Sequence, residues 1–203
     1  NLKKPTAMNI IQEVGKLTYE YAVTNNKYVI TFEKLAMHQS DTIRCYATYL
    51  AGLNSQWSIE QKLDGALNLI ADKHFGVREV VWMALRPSID VHLSKAIETL
   101  STWTTNTDEN IRRFITESTR PRGVWCKHIE SLKEKPEQAL PILAPLKSDT
   151  SVYVQNSVGN WLNDASKSQP DFVIELCERW KNESPTKDTL KIIKRARRTI
   201  DKK

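Results

Sequence analysis

Apolar residues recur every three to four positions along most of the chain, the spacing of helices with one buried face. The segments with this spacing are 8–23, 43–53, 59–71, 77–85, 91–103, 111–118, 137–146, 152–162, 172–180 and 189–200. No stretch alternates convincingly as a strand, although YVITF at 28–32 fits either a strand or a helix face. Prolines are expected near helix ends, where they are tolerated; they are Pro87, Pro121, Pro136, Pro170 and Pro185. The pattern predicts an all-α fold.

Four of these helices share a template. The segments IRCYATYLAG, VREVVWMALRP and IRRFITESTRP start at 43, 77 and 111, so successive starts lie 34 residues apart. A fourth copy, VQNSVGNWLND, starts 43 residues later, at 154. A period of this length, filled by two helices, is typical of an α-solenoid, in which stacked neighbours bury one another's apolar faces. We therefore expect residues 1–203 to form one curved solenoid domain.

Arginines repeat within the template. Arg44, Arg78 and Arg112 occupy its second position, and Arg86 and Arg120, each followed by proline, also lie 34 residues apart. Residues four and eight apart share a helix face, so both sets lie on one polar stripe. Equivalent helices of a solenoid lie side by side, and the stripes should merge into a basic surface, usually the concave one.

Three tryptophans differ in their surroundings. Trp82 lies midway between Arg78 and Arg86 on the polar stripe, and the sequence leaves core and exposed positions equally open for it. On the expected surface it would be the one exposed tryptophan. Trp125 follows a proline and a glycine in a loop, where exposure is plausible, whereas Trp161 falls in phase with apolar residues and is predicted to be core.

The charge balance suits a polyanionic partner. The chain has 30 Lys+Arg against 24 Asp+Glu, a net charge of +6. Nucleic acid or an acidic membrane surface would fit, although many basic proteins bind neither. Regularly spaced guanidinium groups suit successive phosphates, and rings among them can stack on bases. Residues 187–203 add eight cations against two carboxylates, as either a solvated terminal helix or a DNA-flanking one.

Cysteine and histidine patterns point away from cofactors. Cys45, Cys126 and Cys177 lie far apart with no CxxC, which predicts reduced, buried thiols in an intracellular chain without a disulfide frame or zinc site. The four histidines show no ligand spacing, so we expect no metal. No apolar run approaches the roughly 18 residues of a membrane span, and no signal peptide is visible. The start at Asn1 leaves room for residues upstream.

The segment RRFITESTRPRGVW, 112–125, gathers four arginines around Glu117. A carboxylate weakens the attraction of such a cluster for a polyanion, so it needs a reason. Two interpretations stay open. Glu117 either forms a structural ion pair with Arg113 or Arg120, or faces the cationic sugar that forms when a nucleobase leaves.

Two segments resemble those of a known family, the HEAT-like-repeat alkylpurine DNA glycosylases of the AlkC/AlkD type. RRFITESTRPRGVW is similar to its "RRL-SEG-RPR-PW" segment, and LPILAPLKSDTSVYVQNSVGNWLNDASKSQPDFV, 140–173, to the following one, roughly "YVRRSVAN-LNDISKDHPD". The match is specific over about 110–180, looser over 77–110, and one of helical pattern alone over the first 60. It implies a HEAT-like superhelix that cups duplex DNA in a basic concave face and excises cationic alkylpurines without full base flipping.

The resemblance also implies site residues. Glu117 falls on the glutamate of "SE", Trp125 on the tryptophan of "RPRLPW" and Asp164 on the aspartate of "LND". In the family, such carboxylates and rings stabilise the sugar cation and position water. Trp82 fits the tryptophan that the AlkD branch places on the 77–86 helix, and it completes the implied catalytic set.

This sequence departs from the family at several positions. The AlkD branch has an aspartate where Arg86 stands, and the AlkC branch a glutamate where Trp82 stands. The motif "YVRRSVAN" loses its arginines to Gln155 and Asn156. One carboxylate is therefore missing on the 77–86 helix, which weakens the case for excision more than the case for DNA binding.

Three functions follow as alternatives. The first is a monomeric, cytoplasmic DNA-binding protein, associated with the bacterial nucleoid, that grips duplex or branched DNA, damaged or not, with weak or no base excision. The second is an active N-glycosylase for cationic N3- or N7-alkylpurines, and the third a protein-binding helical scaffold. No cofactor or membrane is expected in any of them. The expected DNA contacts are Arg44, Arg78, Arg86, Arg112, Arg113, Arg120, Arg122, Asn160, Lys194 and Arg197.

Overall fold

The computed structural model describes residues 6–202, and every regular element within them is helical, as the periodicity predicts. The chain divides within one helix into two compact units, the first ending at Ser88 and the second beginning at Ile89. A single solenoid domain over 1–203 remains a prediction. Each unit is described by itself below.

The first unit contains five helices and most of a sixth: α1 (Ala7–Thr24), α2 (Tyr28–Ala36), α3 (Asp41–Leu53), α4 (Ile59–Gly65), α5 (Leu67–Ile70) and α6 (Phe75–Val91). α3 packs against both α1 and α2. The ambiguous YVITF stretch lies in α2 and is helical. Tyr28 and Phe32, four residues apart on one face, stack with ring centroids 6.1 Å apart, and each meets the edge of Trp57.

The second unit contains the remaining helices: α7 (Leu93–Ser101), α8 (Glu109–Ser118), α9 (Glu130–Glu134), α10 (Leu140–Leu143), α11 (Val152–Ala165), α12 (Pro170–Glu183) and α13 (Lys187–Arg197). Short 3-10 helices, Pro136–Ala139 and Ala144–Leu146, flank α10. α11 packs against α8, α12 and α13, and therefore forms the centre of this unit. Trp161 on α11 is fully buried there, as predicted.

One proline departs from expectation. Pro87 lies inside α6, which continues to Val91 rather than ending near the proline. A proline removes one helical hydrogen bond and crowds the preceding turn. Pro87 is exposed, so its ring lies towards solvent, while Ile89 beyond it is fully buried and gives the last turn a reason to stay helical.

The repeated arginines occupy equivalent places, as the 34-residue spacing predicts. Arg44, Arg78 and Arg112 are each the fourth residue of their helix. Helical side chains lean towards the N-terminus, so each guanidinium reaches the loop before its own helix. Nη1 donates in each case to the backbone carbonyl groups five and six residues earlier, at 2.6 to 3.1 Å. Gln155, the fourth residue of α11, does the same with Nε2, 2.8 Å from the carbonyl oxygen six residues earlier.

Two of these arginines also bind the loop of the next copy. Arg44 makes a two-pronged pair with Asp72, its Nη2 2.9 Å from Oδ1, and Arg112 makes the same pair with Asp149 at 2.6 and 3.0 Å. In place of a cation, Gln155 donates to Asp188 at 3.0 Å. We call these contacts of Arg44, Arg78, Arg112 and Gln155 the loop ties. Each tie satisfies carbonyl groups that a helix-to-helix turn would otherwise leave without donors.

Asp72 and Asp149, which accept hydrogen bonds from the ties, also accept backbone hydrogen bonds within their own loops. Oδ1 of Asp72 accepts the N–H of His74 at 2.8 Å, and Oδ1 of Asp149 accepts that of Ser151 at 2.9 Å. Asn106, at the equivalent position before α8, accepts the N–H of Asp108 at 2.9 Å. The side chain six residues before each tie therefore fixes its own turn, while in Asp72 and Asp149 it also holds the preceding copy.

We expect Asp72→Asn to lower the free energy of unfolding by about 3 kcal/mol at pH 7, because it leaves the buried guanidinium of Arg44 without a counter-charge. Burial alone would raise the pKa of Asp72, but hydrogen bonds from Arg44 and the His74 N–H outweigh it and lower that pKa. A carboxylate with a lowered folded pKa stabilises above its unfolded pKa, about 3.9, and loses this contribution as pH falls through the folded value. Urea denaturation at pH 7 and at lower pH measures both effects.

Asp64→Asn is the matched control, because Asp64 is an exposed carboxylate on α4. It should leave the free energy of unfolding within about 0.5 kcal/mol of wild type. The Asp72→Asn protein should also lose less stability on acidification than wild type does. Equal stability of the two variants at pH 7 would show that the Arg44–Asp72 tie contributes nothing.

Candidate nucleic-acid interface

Glu117 lies at the end of α8 and is 4% exposed. Its Oε1 accepts the Ser157 hydroxyl at 2.8 Å and lies 3.2 Å from Nη1 of Arg113, one helical turn earlier. Its Oε2 lies 3.4 Å from Nη1 of Arg120. The carboxylate thus pairs with both arginines that the ion-pair interpretation named.

Asp164 on α11 shares Arg120 with Glu117. Its Oδ2 lies 2.8 Å from Nε and 2.6 Å from Nη2 of Arg120, and its Oδ1 accepts from Nζ of Lys167 at 3.0 Å. Asp164 is 2% exposed. Arg120 therefore holds the two carboxylates together, an arrangement we call the carboxylate bridge (Glu117, Arg120, Asp164). Buried charges persist only when they are paired in this way.

The charge of Arg120 is secured by its neighbours. Burial alone would lower the pKa of its guanidinium, but the negative charges of Glu117 and Asp164 outweigh burial and raise that pKa. A ring contact adds to the cationic side of the cluster, because the guanidinium carbon of Arg113 lies 4.3 Å from the centre of the Tyr153 ring. Three cations, with Lys167 as the third, thus surround two carboxylates.

Trp125 is 86% exposed, as the sequence suggested. Its φ of 58° places it in the left-handed region, which costs a bulky residue roughly 1 kcal/mol or more. The two ends of the loop that carries it are joined, because the Pro121 carbonyl accepts the Ile129 N–H at 3.1 Å, and Arg122 near its start donates to Ser168 at 2.7 Å. An indole ring is thereby presented to solvent on a loop with fixed ends.

Of the two positions that the sequence left open for Trp82, the structure has the buried one. The ring is 5% exposed in the first unit, and its Nε1 donates to Glu79 at 3.0 Å. Arg86, expected on the same surface, is 2% exposed. The helical phase correctly groups these two residues on one face of α6, but this face is covered, because packing rather than polarity decides which stripe is buried.

The loop ties also change the interpretation of the repeated arginines Arg44, Arg78 and Arg112. Arg44 is 6% exposed, so the surface position expected of it is wrong. The guanidinium groups of Arg78 and Arg112 are partly buried and bonded to loop carbonyl groups. Phosphate contact by these three residues remains a prediction. Such contact would either leave the hydrogen bonds of the ties in place or break them.

The remaining predicted DNA contacts lie on α11 and α13. Oδ1 of Asn160 accepts from Arg195 at 3.3 Å and from Arg198 at 3.0 Å. Lys194 is exposed, whereas Arg197 pairs with Glu178 at 2.9 Å and with Asp201 at 3.2 Å.

Sequence reasoning counted Arg195 and Arg198 among the cations of a terminal helix that could flank DNA, but it did not name them as individual DNA contacts. A signal was present, because Lys191, Lys194, Arg195 and Arg198 follow the i, i+3, i+4, i+7 spacing of one helix face. The spacing does not show, however, that the helix face carrying these four cations lies against α11.

Three other features bear on function within residues 6–202: potential metal ligands, the apolar character of the helices, and the cysteine thiols. No group of three or more histidine, cysteine or acidic residues there is placed to hold a metal ion. None of the helices in this range combines the length and the apolar character that a membrane span requires. Cys45 and Cys177 are buried thiols, and burial raises the pKa of Cys45 to about 11 and that of Cys177 to about 12. Neither is a reactive thiolate at neutral pH.

A known protein is similar in sequence to part of the chain. No family model matches the chain. The protein YhaZ of Bacillus subtilis (strain 168) is 41% identical over 120 residues, which are 59% of this chain and 33% of YhaZ. The chain thus spans about a third of the length of this relative.

Solved structures are similar over more of the chain. AlkD2 from Streptococcus mutans matches with a TM-score of 0.73 and 26% identity, over 98% of this chain and 93% of that one. The protein smu.31 from Streptococcus mutans UA159 gives 0.72 and 25%, over 95% and 98%. Pseudomonas fluorescens alkylpurine DNA glycosylase AlkC, bound to DNA containing an abasic site analog, gives 0.69 and 23%, over 88% of this chain and 48% of that one.

The carboxylate bridge predicts a large effect of one substitution. Arg120→Gln removes the cation between two buried carboxylates and should lower the free energy of unfolding by about 3 to 5 kcal/mol, as expected for a broken buried pair. Thermal and urea denaturation measure this loss. Arg179→Gln is the control, because Arg179 makes only a 3.9 Å contact with Glu183 at the surface and should change stability by under about 1 kcal/mol. Similar losses in both variants would contradict a central role for Arg120.

Proposed function

From the AlkC/AlkD-type alkylpurine DNA glycosylase fold, which this chain has in a divergent form, we propose that it binds duplex or branched DNA and excises bases weakly or not at all. The binding surface would include the exposed ring of Trp125 and the cations of α13. The activity of the whole protein belongs to this proposal, because the chain spans only part of YhaZ and AlkC.

The carboxylate bridge is the observation that carries the proposal. A carboxylate that stabilises a sugar cation must face the sugar with its charge available. Here the oxygens of Glu117 and Asp164 are buried and already bonded to Arg113, Arg120 and Lys167. An approaching sugar cation would meet a cluster with more positive than negative charges, which disfavours the transition state of excision.

DNA binding does not require free carboxylates. Exposed cations neutralise phosphates and release counterions, which supplies most sequence-independent affinity. An exposed indole adds stacking worth about 1 to 3 kcal/mol per base. Trp125 has the exposure that stacking needs, and its anchored loop limits the entropy lost on binding. The loop ties would serve DNA binding indirectly, by fixing where each helix begins.

Base excision is the competing function, and one observation favours it. Arg120 brings Glu117 and Asp164 together, and these are the two carboxylates that the family resemblance assigns to catalysis. Excision would require that Arg120 leave at least one of them when DNA binds. A third function, a protein-binding scaffold, gains nothing from the exposed cations of α13.

Binding should depend steeply on salt. We expect the logarithm of the association constant for a short duplex to fall linearly with the logarithm of salt concentration, with a slope of about −0.9 per neutralised phosphate. Fluorescence anisotropy with linear and four-way-junction DNA measures the slope for each.

Trp125→Ala should lower the affinity for linear and for four-way-junction DNA by roughly tenfold without lowering stability, because the ring is exposed.

Trp103→Ala serves as the control for loss of an indole elsewhere in the second unit, since Trp103 follows α7 and is not among the residues of the proposed surface. Its DNA affinity should match wild type in molecules that remain folded by circular dichroism. The DNA-binding proposal fails if wild type shows no affinity for either DNA at low salt. Affinity without salt dependence would contradict phosphate contacts.

A further inference from the structure

The α13 pocket lies between two helices of the second unit, outside the carboxylate bridge. It has a volume of about 410 Å³ and is lined by Val152, Gln155, Asn156, Lys191, Lys194, Arg195 and Arg198. Three of the cations come from one face of α13 and the fourth, Arg198, from the residue that follows it, whereas the other three residues come from the first two turns of α11. None of these lining residues is acidic.

A glycine allows the two helices to approach closely. A Cβ added to Gly159 would lie 2.7 Å from Cβ of Arg195 and 2.9 Å from its Cγ and Cδ, contacts closer than Cβ atoms make with non-bonded neighbours. Arg195 therefore crosses α11 directly over this residue. Its guanidinium donates to Asn160, and Arg198 donates to Asn160 and to Asn163 at 2.8 Å.

The charges of the pocket are largely uncompensated. Asp188 and Asp201 are near in the chain, yet Arg195 and Arg198 bond to neutral amides of α11. Lys194 has neither a hydrogen bond nor an ion pair with the part of the chain that the structure describes. Lys191 pairs with Asp188 at 3.3 Å, an aspartate that also accepts from Gln155. Within the described residues, Asp188 is thus the one carboxylate that pairs with any of these four cations.

We infer that the α13 pocket binds a phosphate group, and that in the proposed function this group is a phosphodiester of bound DNA. The guanidinium groups of Arg195 and Arg198 are already held by amides of α11 and so lose little entropy when a phosphate arrives, and charge-assisted hydrogen bonds are the strongest that such groups make. The amide of Asn156 provides a further donor at the pocket wall. Arg197 takes no part, because Glu178 and Asp201 already neutralise it.

The pocket also accounts for a departure in the sequence. The family resemblance implies two arginines where α11 carries Gln155 and Asn156. In this chain the cations next to those positions come from α13 instead. Positive charge is kept at the same place on α11, although the residues that supply it lie more than 30 positions further along the chain.

The experiment compares two charge reversals of equal size. Lys194→Glu places a carboxylate in the pocket and disturbs no internal contact, whereas Lys181→Glu makes the same change at an exposed lysine of α12 outside it. Anisotropy with a short duplex should show about tenfold weaker binding for Lys194→Glu than for Lys181→Glu, with a salt slope smaller in magnitude by about 1. Equal affinities and slopes for the two variants would overturn a DNA phosphate at this site.

A second measurement uses inorganic phosphate and pyrophosphate, with amide chemical shifts of α11 and α13 as the readout. Saturable shifts in wild type that Lys194→Glu abolishes and Lys181→Glu keeps support the pocket, even if wild type binds no DNA. In that case the proposed function fails while the phosphate site stands, with a free phosphate compound as its ligand. Wild-type affinity for DNA without any effect of Lys194→Glu in either assay overturns the site and leaves the proposed function intact.

Discussion

The structure depends on one recurring contact, a side chain on the fourth residue of a helix that donates back to the loop before that helix. Loop carbonyl groups at a tight helix-to-helix junction have few donors available, and leaving a buried one unpaired costs about 1 to 3 kcal/mol. Arg44, Arg78 and Arg112 supply these donors, and Gln155 supplies them in α11. Where the following loop offers an aspartate, the same side chain joins two successive copies, as in Arg44–Asp72 and Arg112–Asp149.

These internal contacts determine which cationic side chains can contribute to a basic surface. The number of arginines suggests a continuous basic surface. The arginines that repeat most regularly, however, are already bonded to internal partners. The same holds at the end of α8, where Arg120 is bonded to Glu117 and Asp164. In the second unit, Lys194 on α13 has no ion pair within the described residues, and Arg195 and Arg198 bond to neutral amides rather than to carboxylates. A basic sequence therefore becomes a locally basic surface only after the internal pairs have been set aside.

The sequence predicts much of the fold, because helical periodicity and a 34-residue repeat are local signals. It identifies most helices, the burial of Trp161 and the exposure of Trp125. It does not predict α9, a helix of five residues with too few positions to show a period, or the continuation of α6 through Pro87. The candidate site is less accessible to sequence reasoning. Periodicity places Trp82 and Arg86 on one face, yet only tertiary packing decides that this face is covered, and only Gly159 hints that α13 lies against α11.

The central claim is that the carboxylates of the bridge are committed to structure, so that DNA is bound without efficient excision. Single-turnover release of 7-methylguanine and 3-methyladenine, with methylated DNA fully bound by excess protein, tests this claim most directly. The comparison is between wild type, Glu117→Gln and DNA alone. We predict release at the spontaneous rate in all three samples, since binding alone supplies no field that stabilises the sugar cation. Release by wild type well above the spontaneous rate, abolished in a folded Glu117→Gln protein that still binds DNA, would contradict it and identify Glu117 as a catalytic residue.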